Sequence, residues 1–210
     1  MGMFLSEQPS AAAPSRWLQR WRHLLRPGAR VLDVACGRGR NLRWLVDEGY
    51  VVTGVDRDAQ ALAPLSALGE RVEIVVADLE QGPWPFPGRR FDAVLVTHYL
   101  WRPLLPTLVD SLAEGGMLVY ETFADGQQTI GRPACADFLL QPGELLQACA
   151  GLRIIAFEDG FIGDFEGGGT DGLCASRPCY VQRIVAARQP LPHARFELPE
   201  TPESPTRADR

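Results

Sequence analysis

The chain has 210 residues, enough to bury one hydrophobic core and too few for two domains of common size, each roughly 100–150 residues. Its 46% hydrophobic and 22% charged fractions are those of a globular protein and exclude disordered and fibrous classes. The sequence has neither an apolar run of roughly 20 residues nor a signal-peptide pattern, so we predict a cytoplasmic protein with no membrane partner.

The first predicted element is an amphipathic helix over residues 16–25. Ser15 is a suitable N-cap, and Pro27 and Gly28 end the pattern. Its apolar residues recur at helical spacing: Trp17, Leu18, Trp21, Leu24 and Leu25. A basic helix that carries tryptophan can lie on a membrane or bind phosphates, but such a stripe more often packs against its own domain. We predict the packing role.

From residue 31 onward, apolar β-type runs alternate with helical segments. Strands are predicted at residues 31–35, 51–55, 72–77, 91–96, 117–122, 152–157 and 179–187, and helices at 41–48, 59–68, 103–113 and 143–150. Strands this continuously apolar are buried on both faces, as in a parallel sheet covered by helices. The connection before the last strand has no helical pattern, which predicts that this strand is antiparallel to a neighbour. The fold class is therefore α/β, with a doubly wound, mostly parallel seven-stranded sheet.

The predicted domain organisation is simple. Residues 15–188 form a single domain that includes the N-terminal helix, and residues 1–14 are expected to be a disordered leader. Residues 189–210 carry five prolines among charged residues and are expected to be a disordered tail. The five cysteines are odd in number and have no C-x-x-C pair, so the sequence predicts neither a disulfide framework nor a zinc site.

The first strand runs into a glycine-bearing turn over residues 33–41. Gly37 and Gly39 allow tight dihedral angles and close approach to a ligand, and the helix that follows offers free N–H groups. Such a turn predicts a nucleotide-like ligand, although a packing turn uses the same residues. A dehydrogenase fingerprint needs a third glycine where this chain has Leu42, which disfavours a nicotinamide oxidoreductase.

Three acids lie at the ends of three successive predicted strands. Asp33 lies near the end of the first strand, Asp56 directly follows the second and Asp78 directly follows the third. A helix cap explains any one of them, but in a doubly wound sheet all three share the edge where ligands bind. Asp56 lies 23 residues after Asp33, a spacing at which a carboxylate can accept hydrogen bonds from ribose hydroxyls.

Over about residues 30–187 the chain resembles the class I S-adenosylmethionine-dependent methyltransferases. The segments Gly-Arg-Gly-Arg-Asn-Leu at 37–42 and Gly-Tyr-Val-Val-Thr-Gly-Val-Asp at 49–56 are similar to the small tellurite-resistance type. The resemblance implies the Rossmann-like methyltransferase fold, the cofactor S-adenosylmethionine and the product S-adenosylhomocysteine. Ala35 is a departure, because many relatives have a further glycine there.

The resemblance also implies residue roles. Asp33 orients the turn and the cofactor amino group, Asp56 binds both ribose hydroxyls, and Asp78 accepts from the adenine amino group. The expected cofactor-binding residues are Asp33, Ala35, Cys36, Gly37, Gly39, Asn41, Asp56, Arg57, Ala77, Asp78, Leu79 and Thr97. No metal ligand is expected.

Candidate catalytic residues follow the fourth strand and lie in the fifth. His98 is a candidate general base near neutral pH, or a residue that hydrogen-bonds a loop, and Tyr99 and Glu121 complete the set. Loops 124–136 and 160–178 are expected to cover the same edge, the second as an acidic flap that carries Asp164.

We expect methyl transfer to a small-molecule acceptor that the sequence does not identify. The alternative is a non-catalytic cofactor-binding or regulatory protein that keeps the fold. A nucleic-acid acceptor is not favoured, because the net charge is −5, although eight arginines lie within residues 16–43. All 21 basic residues are arginine, which excludes a Walker A loop and lysine-based chemistry.

Overall fold

The computed structural model describes residues 13–163, 178–189 and Leu198, and its centre is a seven-stranded sheet. The strands are β1 (Arg30–Val34), β2 (Val51–Asp56), β3 (Val72–Val76), β4 (Phe91–Thr97), β5 (Leu112–Phe123), β6 (Arg153–Ile162) and β7 (Cys179–Ala187). The α-helices are α1 (Arg16–Trp21), α2 (Arg40–Asp47), α3 (Ala59–Leu62), α4 (Leu105–Asp110) and α5 (Glu144–Ala148). Short 3₁₀ helices extend α1 and α3 and precede α4.

The strand order is β3-β2-β1-β4-β5-β7-β6. The first five strands are parallel, and β1 pairs with both β2 and β4, so the strand order reverses at β1. Strand β7 lies antiparallel between β5 and β6. The predicted doubly wound sheet with an antiparallel last strand is confirmed. Ligands of such sheets bind at the carboxyl ends of the strands beside the switch point, here the ends of β1 and β4.

Two apolar layers cover the sheet. Helices α1, α2 and α3 pack on one face through Trp17, Leu42 and Leu62, while α4 and α5 pack on the other through Leu108 and Leu145. Strands β1, β2, β4, β5 and β7 are largely buried, which is why they appear in the sequence as apolar runs, whereas the edge strands β3 and β6 are partly exposed.

Helix α1 packs against its own domain, as predicted. The Ser15 hydroxyl accepts a hydrogen bond from the N–H of Leu18 at 3.0 Å and caps the helix. Trp17, Leu18 and Trp21 are buried, and the Trp17 indole N–H donates to the carbonyl of Ile184 at 3.3 Å. The apolar stripe of the helix is therefore part of the core.

Several boundaries differ from the sequence-based ones. The predicted helix over 59–68 changes to a 3₁₀ helix at Ala63, next to Pro64. The predicted helix over 103–113 begins as a 3₁₀ helix and becomes α-helical at Leu105. Strand β5 begins at Leu112, five residues earlier than expected, because a register irregularity between Phe91 and Ala93 of β4 allows Leu112 to pair with Phe91.

Strand β6 continues to Ile162, so the predicted flap over 160–178 begins later than expected. Residues 164–177 of the predicted flap, including Asp164, lie outside the described residues, as do most of the predicted leader and tail. Cys179 is disulfide-bonded, a correction to the sequence analysis, since the odd and dispersed cysteines indicated no pairing. No described helix is long and apolar enough to cross a membrane.

Candidate functional site

A cavity of about 410 Å³ lies at the carboxyl ends of the parallel strands. It is lined by Ala35, Asp56, Arg57, Ala77, Asp78, Leu79, Glu80, His98, Tyr99, Leu100, Thr122, Phe123, Pro133 and Phe138. Residues 56–57 and 77–80 form what we call its acidic end. His98, Leu100, Thr122, Phe123, Pro133 and Phe138 form what we call its aromatic end.

The glycine turn lies beside the acidic end, and Ala35 is the residue by which it lines the cavity. Gly37 and Gly39 have positive φ angles of 54° and 73°, conformations that glycine adopts without a steric penalty. A Cβ on Gly39 would lie 2.7 Å from Leu65, whereas one on Gly37 would meet nothing within 4 Å. Ala35 also has a positive φ of 52°, which explains why a glycine suits this position. The turn therefore leaves open space beside Gly37.

Asp56 is fixed by the turn that it faces. Its Oδ2 accepts from the N–H of Gly37 at 2.8 Å, and its Oδ1 accepts from the N–H of Asp58 at 2.9 Å. Each carboxylate oxygen has two lone pairs, so both keep capacity for a further donor from the cavity. Because Asp56 ends β2 beside the strand-order reversal, its carboxylate can meet a pair of ligand hydroxyls.

Asp33 is almost fully buried beneath the turn. Burial raises the pKa of its carboxyl to about 7, against the opposing influence of the Arg40 charge and a hydrogen bond from the N–H of Leu42. Its Oδ1 has no hydrogen-bond partner among the described residues. A buried acceptor without a donor is costly, and a cationic ligand group would satisfy it.

Tyr99 contributes a second buried polar atom of this kind. Its hydroxyl has no hydrogen-bond partner within the described part of the chain. Burial and the neighbouring charges of Glu80 and Asp78 raise its pKa to about 12, so the phenol stays protonated. Asp78 caps the following turn, with Oδ1 accepting from the N–H of Glu80 at 2.9 Å. The ring of Tyr99 thus belongs to the surroundings of the acidic end, and its hydroxyl is a donor.

His98 lies at the aromatic end with its ring stacked on Phe123, at a centroid distance of 5.6 Å and an interplanar angle of 19°. It is one of two described non-glycine residues with a positive φ, at 58°. Partial desolvation and the charge of Arg40 lower its pKa to about 4, although the residue is exposed overall. The imidazole is therefore neutral at physiological pH.

Some predicted cofactor-binding residues support the cavity rather than line it. The side-chain carbonyl of Asn41 accepts from the N–H of Ser15 at 2.9 Å, and its amide donates to the Thr97 hydroxyl at 3.0 Å. Asn41 thereby ties α1 and α2 to the end of β4. Burial raises the pKa of the Cys36 thiol far above its usual range, so the thiol is not a nucleophile.

Glu121 does not reach the cavity. The side chain is fully buried in the sheet, and its Oε2 lies 3.9 Å from Nη1 of Arg183, the residue opposite it on β7. Arg183 also approaches Glu158 and the ring of Trp17. Through Arg183, Glu121 is therefore part of the packing between the sheet and α1.

The loop after β5 provides cavity residues that the sequence analysis did not name, Pro133 and Phe138. Arg102 holds this loop: it pairs with both carboxylate oxygens of Glu144 and donates to the carbonyls of Asp137 and Leu139 at 2.8 and 2.7 Å. The sequence placed loop 124–136 over this edge without indicating its anchor. Glu80, Leu100, Thr122 and Phe123 were also not named, although each adjoins a predicted site residue or strand end.

Comparison with known proteins agrees with this geometry. Residues 31–116 match the family model described as a methyltransferase domain. A protein-L-isoaspartate O-methyltransferase of Methylorubrum populi is 38% identical over 112 residues, 51% of this chain and 51% of that protein. A putative methyltransferase of Geobacillus sp. is 30% identical over 128 residues, 56% of this chain and 52% of the relative. The chain thus spans about half the length of these curated relatives.

Solved structures give the same result for the fold. TehB from Haemophilus influenzae has a TM-score of 0.59 at 19% identity, covering 80% of this chain and 59% of that one. An S-adenosylmethionine-dependent methyltransferase from Mesorhizobium loti has a TM-score of 0.59 at 22% identity, covering 80% and 95%. The fold is that of the class I S-adenosylmethionine-dependent methyltransferases. In fold the chain is similar to the TehB type of that class, and residues 31–116 match the model of a methyltransferase domain.

Proposed function

We propose that this protein transfers a methyl group from S-adenosylmethionine to a small-molecule acceptor and releases S-adenosylhomocysteine. The observation that carries the proposal is the arrangement of Asp56, which lines the cavity while the Gly37 N–H of the glycine turn holds its carboxylate. A ribose needs such a pair of oriented acceptors beside a turn that permits close approach.

The residues of the acidic end, together with Asp33, which is buried beneath the glycine turn and does not line the cavity, fit the parts of this cofactor. The buried Oδ1 of Asp33 suits the ammonium of the methionine moiety, and the carboxylate of Asp56 suits the two ribose hydroxyls. Asp78, with Arg57 and Leu79 beside it, suits the adenine amino group. We assign the protonated hydroxyl of Tyr99 to the same nucleoside as a hydrogen-bond donor. Cys36, Gly39, Asn41 and Thr97 are assigned to the support of this surface.

The cofactor supplies a methyl group on a positively charged sulfur, which is already electrophilic, so the protein mainly aligns the acceptor and excludes water. Among the residues at the aromatic end, His98 is suited to orient an acceptor by accepting a hydrogen bond. With a pKa of about 4 it is a weak base, which favours acceptors that are soft or that ionise without help. We do not assign Glu121 to catalysis, because it lies away from the cavity wall.

Calorimetric titration of the purified chain tests the proposal. S-adenosylmethionine and S-adenosylhomocysteine should bind with micromolar dissociation constants, and NAD should not bind. Incubation with S-adenosylmethionine and a mixture of small acceptors, followed by mass spectrometry, should give products heavier by one methylene group. Binding without any transfer would favour a regulatory cofactor-binding protein, and absence of binding would contradict the proposed function.

A further inference from the structure

The two ends of the cavity differ in chemistry. The acidic end carries Asp56, Asp78 and Glu80, while His98 is the only ionisable side chain among the described residues that line the aromatic end. The rest of that end consists of two phenylalanines, a proline, a leucine and a threonine. A site of this composition recognises a ligand by shape and apolar contact, with few polar groups to orient it.

We propose that the aromatic end binds a flat, uncharged aromatic group, which is the part of the acceptor that the protein recognises. This inference rests on the proposed function, since it takes the acidic end to be occupied by the cofactor.

The stacked pair of His98 and Phe123 carries the geometric argument. Their rings are stacked on each other at an interplanar angle of 19°, and both residues line the cavity, so together they give this end an aromatic wall. Aromatic groups prefer offset stacking or edge-to-face contact with such rings. Phe138 lines the same end from the loop after β5, and 52% of it is exposed. A planar aromatic ligand at this end would cover part of that exposed apolar surface.

The position of this wall is fixed by the backbone. The N–H of His98 donates to the carbonyl of Glu121 at 3.1 Å, and Phe123 packs against the cluster of Cys179 and Val181 at the start of β7. Arg102 fixes the loop that carries Pro133 and Phe138, and its charge is paired with Glu144. The wall and the loop are thus held before any ligand arrives.

Charge at this end favours a neutral ligand. The low pKa of His98 leaves the imidazole without a charge, so it offers no cation to an anionic acceptor. Among the described residues, Arg40 is the cation that acts on the pKa of His98, and it does not line the cavity, while Arg57 lines the acidic end. The described residues that line the aromatic end therefore offer no cation to an anionic acceptor.

Three probes with closely related ring skeletons test the inference on the protein saturated with S-adenosylhomocysteine. They are 2-naphthol, which is flat and neutral, decahydro-2-naphthol, which is neutral but not flat, and 2-naphthoate, which is flat and anionic. Fluorescence or calorimetric titration should give a dissociation constant for 2-naphthol at least tenfold below those of the other two. S-adenosylhomocysteine must stay bound, which excludes entry of the probe into the acidic end.

Two variants test where 2-naphthol binds. Phe138→Ala should weaken 2-naphthol binding at least fivefold and leave the affinity for S-adenosylhomocysteine unchanged. Phe161→Ala is the matched control, because Phe161 is 53% exposed and does not line the cavity, and it should change neither affinity. Equal binding of the three probes, tighter binding of 2-naphthoate, or equal effects of the two variants would overturn the inference alone. Failure of S-adenosylhomocysteine to bind would overturn the proposed function and this inference with it.

Discussion

The acidic and aromatic ends of the cavity are built from different kinds of structure. At the acidic end, Asp56 ends β2 and Asp78 lies two residues after β3. Their carboxylates accept hydrogen bonds from backbone N–H groups two residues further along the chain, and Asp56 also accepts one from the glycine turn. At the aromatic end, Pro133 and Phe138 come from a loop held by Arg102 and by Gln127, which accepts from the N–H of Tyr180 at 2.9 Å. Local sequence determines the first end, whereas long-range contacts determine the second, which leaves it freer to change its ligand.

The largest expected effect concerns the buried carboxyl of Asp33. Its pKa is raised above the usual value, so the native state holds a proton that the unfolded chain loses near pH 4. Stability is therefore lost as the pH rises from about 4 through about 7. Asp33→Asn should raise the free energy of unfolding at pH 8 by about 2–4 kcal/mol and flatten its pH dependence. Urea denaturation of the two proteins at pH 5 and pH 8 measures the free energy of unfolding and its pH dependence. If the parent, compared with Asp33→Asn, were more stable at pH 8 than at pH 5, the prediction would be wrong.

The same carboxyl predicts pH-dependent binding at the acidic end. An ammonium group pairs with the ionised form, so the affinity for S-adenosylhomocysteine should rise between pH 5.5 and pH 8, with a midpoint near the pKa of about 7. Asp33→Asn should bind more weakly and with little pH dependence, although the folded protein is more stable. Calorimetric titration with S-adenosylhomocysteine in buffers of different ionisation enthalpy would measure the proton that Asp33 releases on binding.

Removal of the Asp56 carboxylate tests the acidic end itself. Asp56→Ala should lose about 1.5–3 kcal/mol of binding free energy for S-adenosylhomocysteine, because hydrogen bonds to a charged group are lost. Asp58→Ala is the matched control, since Asp58 caps α3 and does not line the cavity. The control should cost about 1 kcal/mol of stability and leave the affinity intact. Equal losses of affinity would refute a ribose contact at Asp56.

A smaller effect is expected for Tyr99. Tyr99→Phe removes a buried donor that has no partner in the described structure, so affinity for S-adenosylhomocysteine should fall by about 0.5–1.5 kcal/mol without loss of stability. Tyr120→Phe should lower the stability and leave the affinity unchanged, because the Tyr120 hydroxyl donates to the carbonyl of Tyr99 at 2.8 Å and Tyr120 does not line the cavity. If Tyr99→Phe altered only the pH profile of turnover, a catalytic role would replace the binding role.

The smallest effect concerns backbone strain at Ala35. Ala35→Gly should raise the free energy of unfolding by about 1 kcal/mol, because the positive φ of 52° penalises a Cβ. Ala77→Gly is the control: Ala77 lines the same cavity without a positive φ and should be destabilised by about 0.5–1 kcal/mol. Thermal unfolding of the parent and the two variants shows whether each substitution raises or lowers the stability.

The contrast between the two ends also explains what the sequence could predict. The sheet, its antiparallel last strand and the acidic end followed from apolar runs and from acids at strand ends, which are local signals. Asn41 was assigned to the site through the family resemblance, and Glu121 from its position in the fifth strand. Their contacts with Ser15 and Arg183 join segments 26 and 62 residues apart in the chain, and no periodicity indicates such pairs.

The loop at the aromatic end was predicted only as a cover. Its residues Pro133 and Phe138 have no regular pattern, and their position depends on Arg102, which lies more than 30 residues earlier. The change from α to 3₁₀ geometry at Ala63 and the early start of β5 depend on Pro64 and on a strand irregularity. Such features are decided by packing, after the pattern of strands and helices is set.

The insertion of β7 between β5 and β6 has a consequence for biosynthesis. A ribosome adds roughly 5–20 residues per second and releases the amino-terminal part first, so β1 to β5 emerge before β6 has a neighbour. Strand β6 must wait for β7, and the hydrogen bonds from Tyr180 and Gln182 to the loop after β5 form last. A nascent chain stopped near residue 163 would therefore contain the acidic end and the Arg102 contacts of the loop after β5, and lack the contacts that β7 makes with that loop. In this molecule the contacts from β7 to the loop of the aromatic end are the last to form.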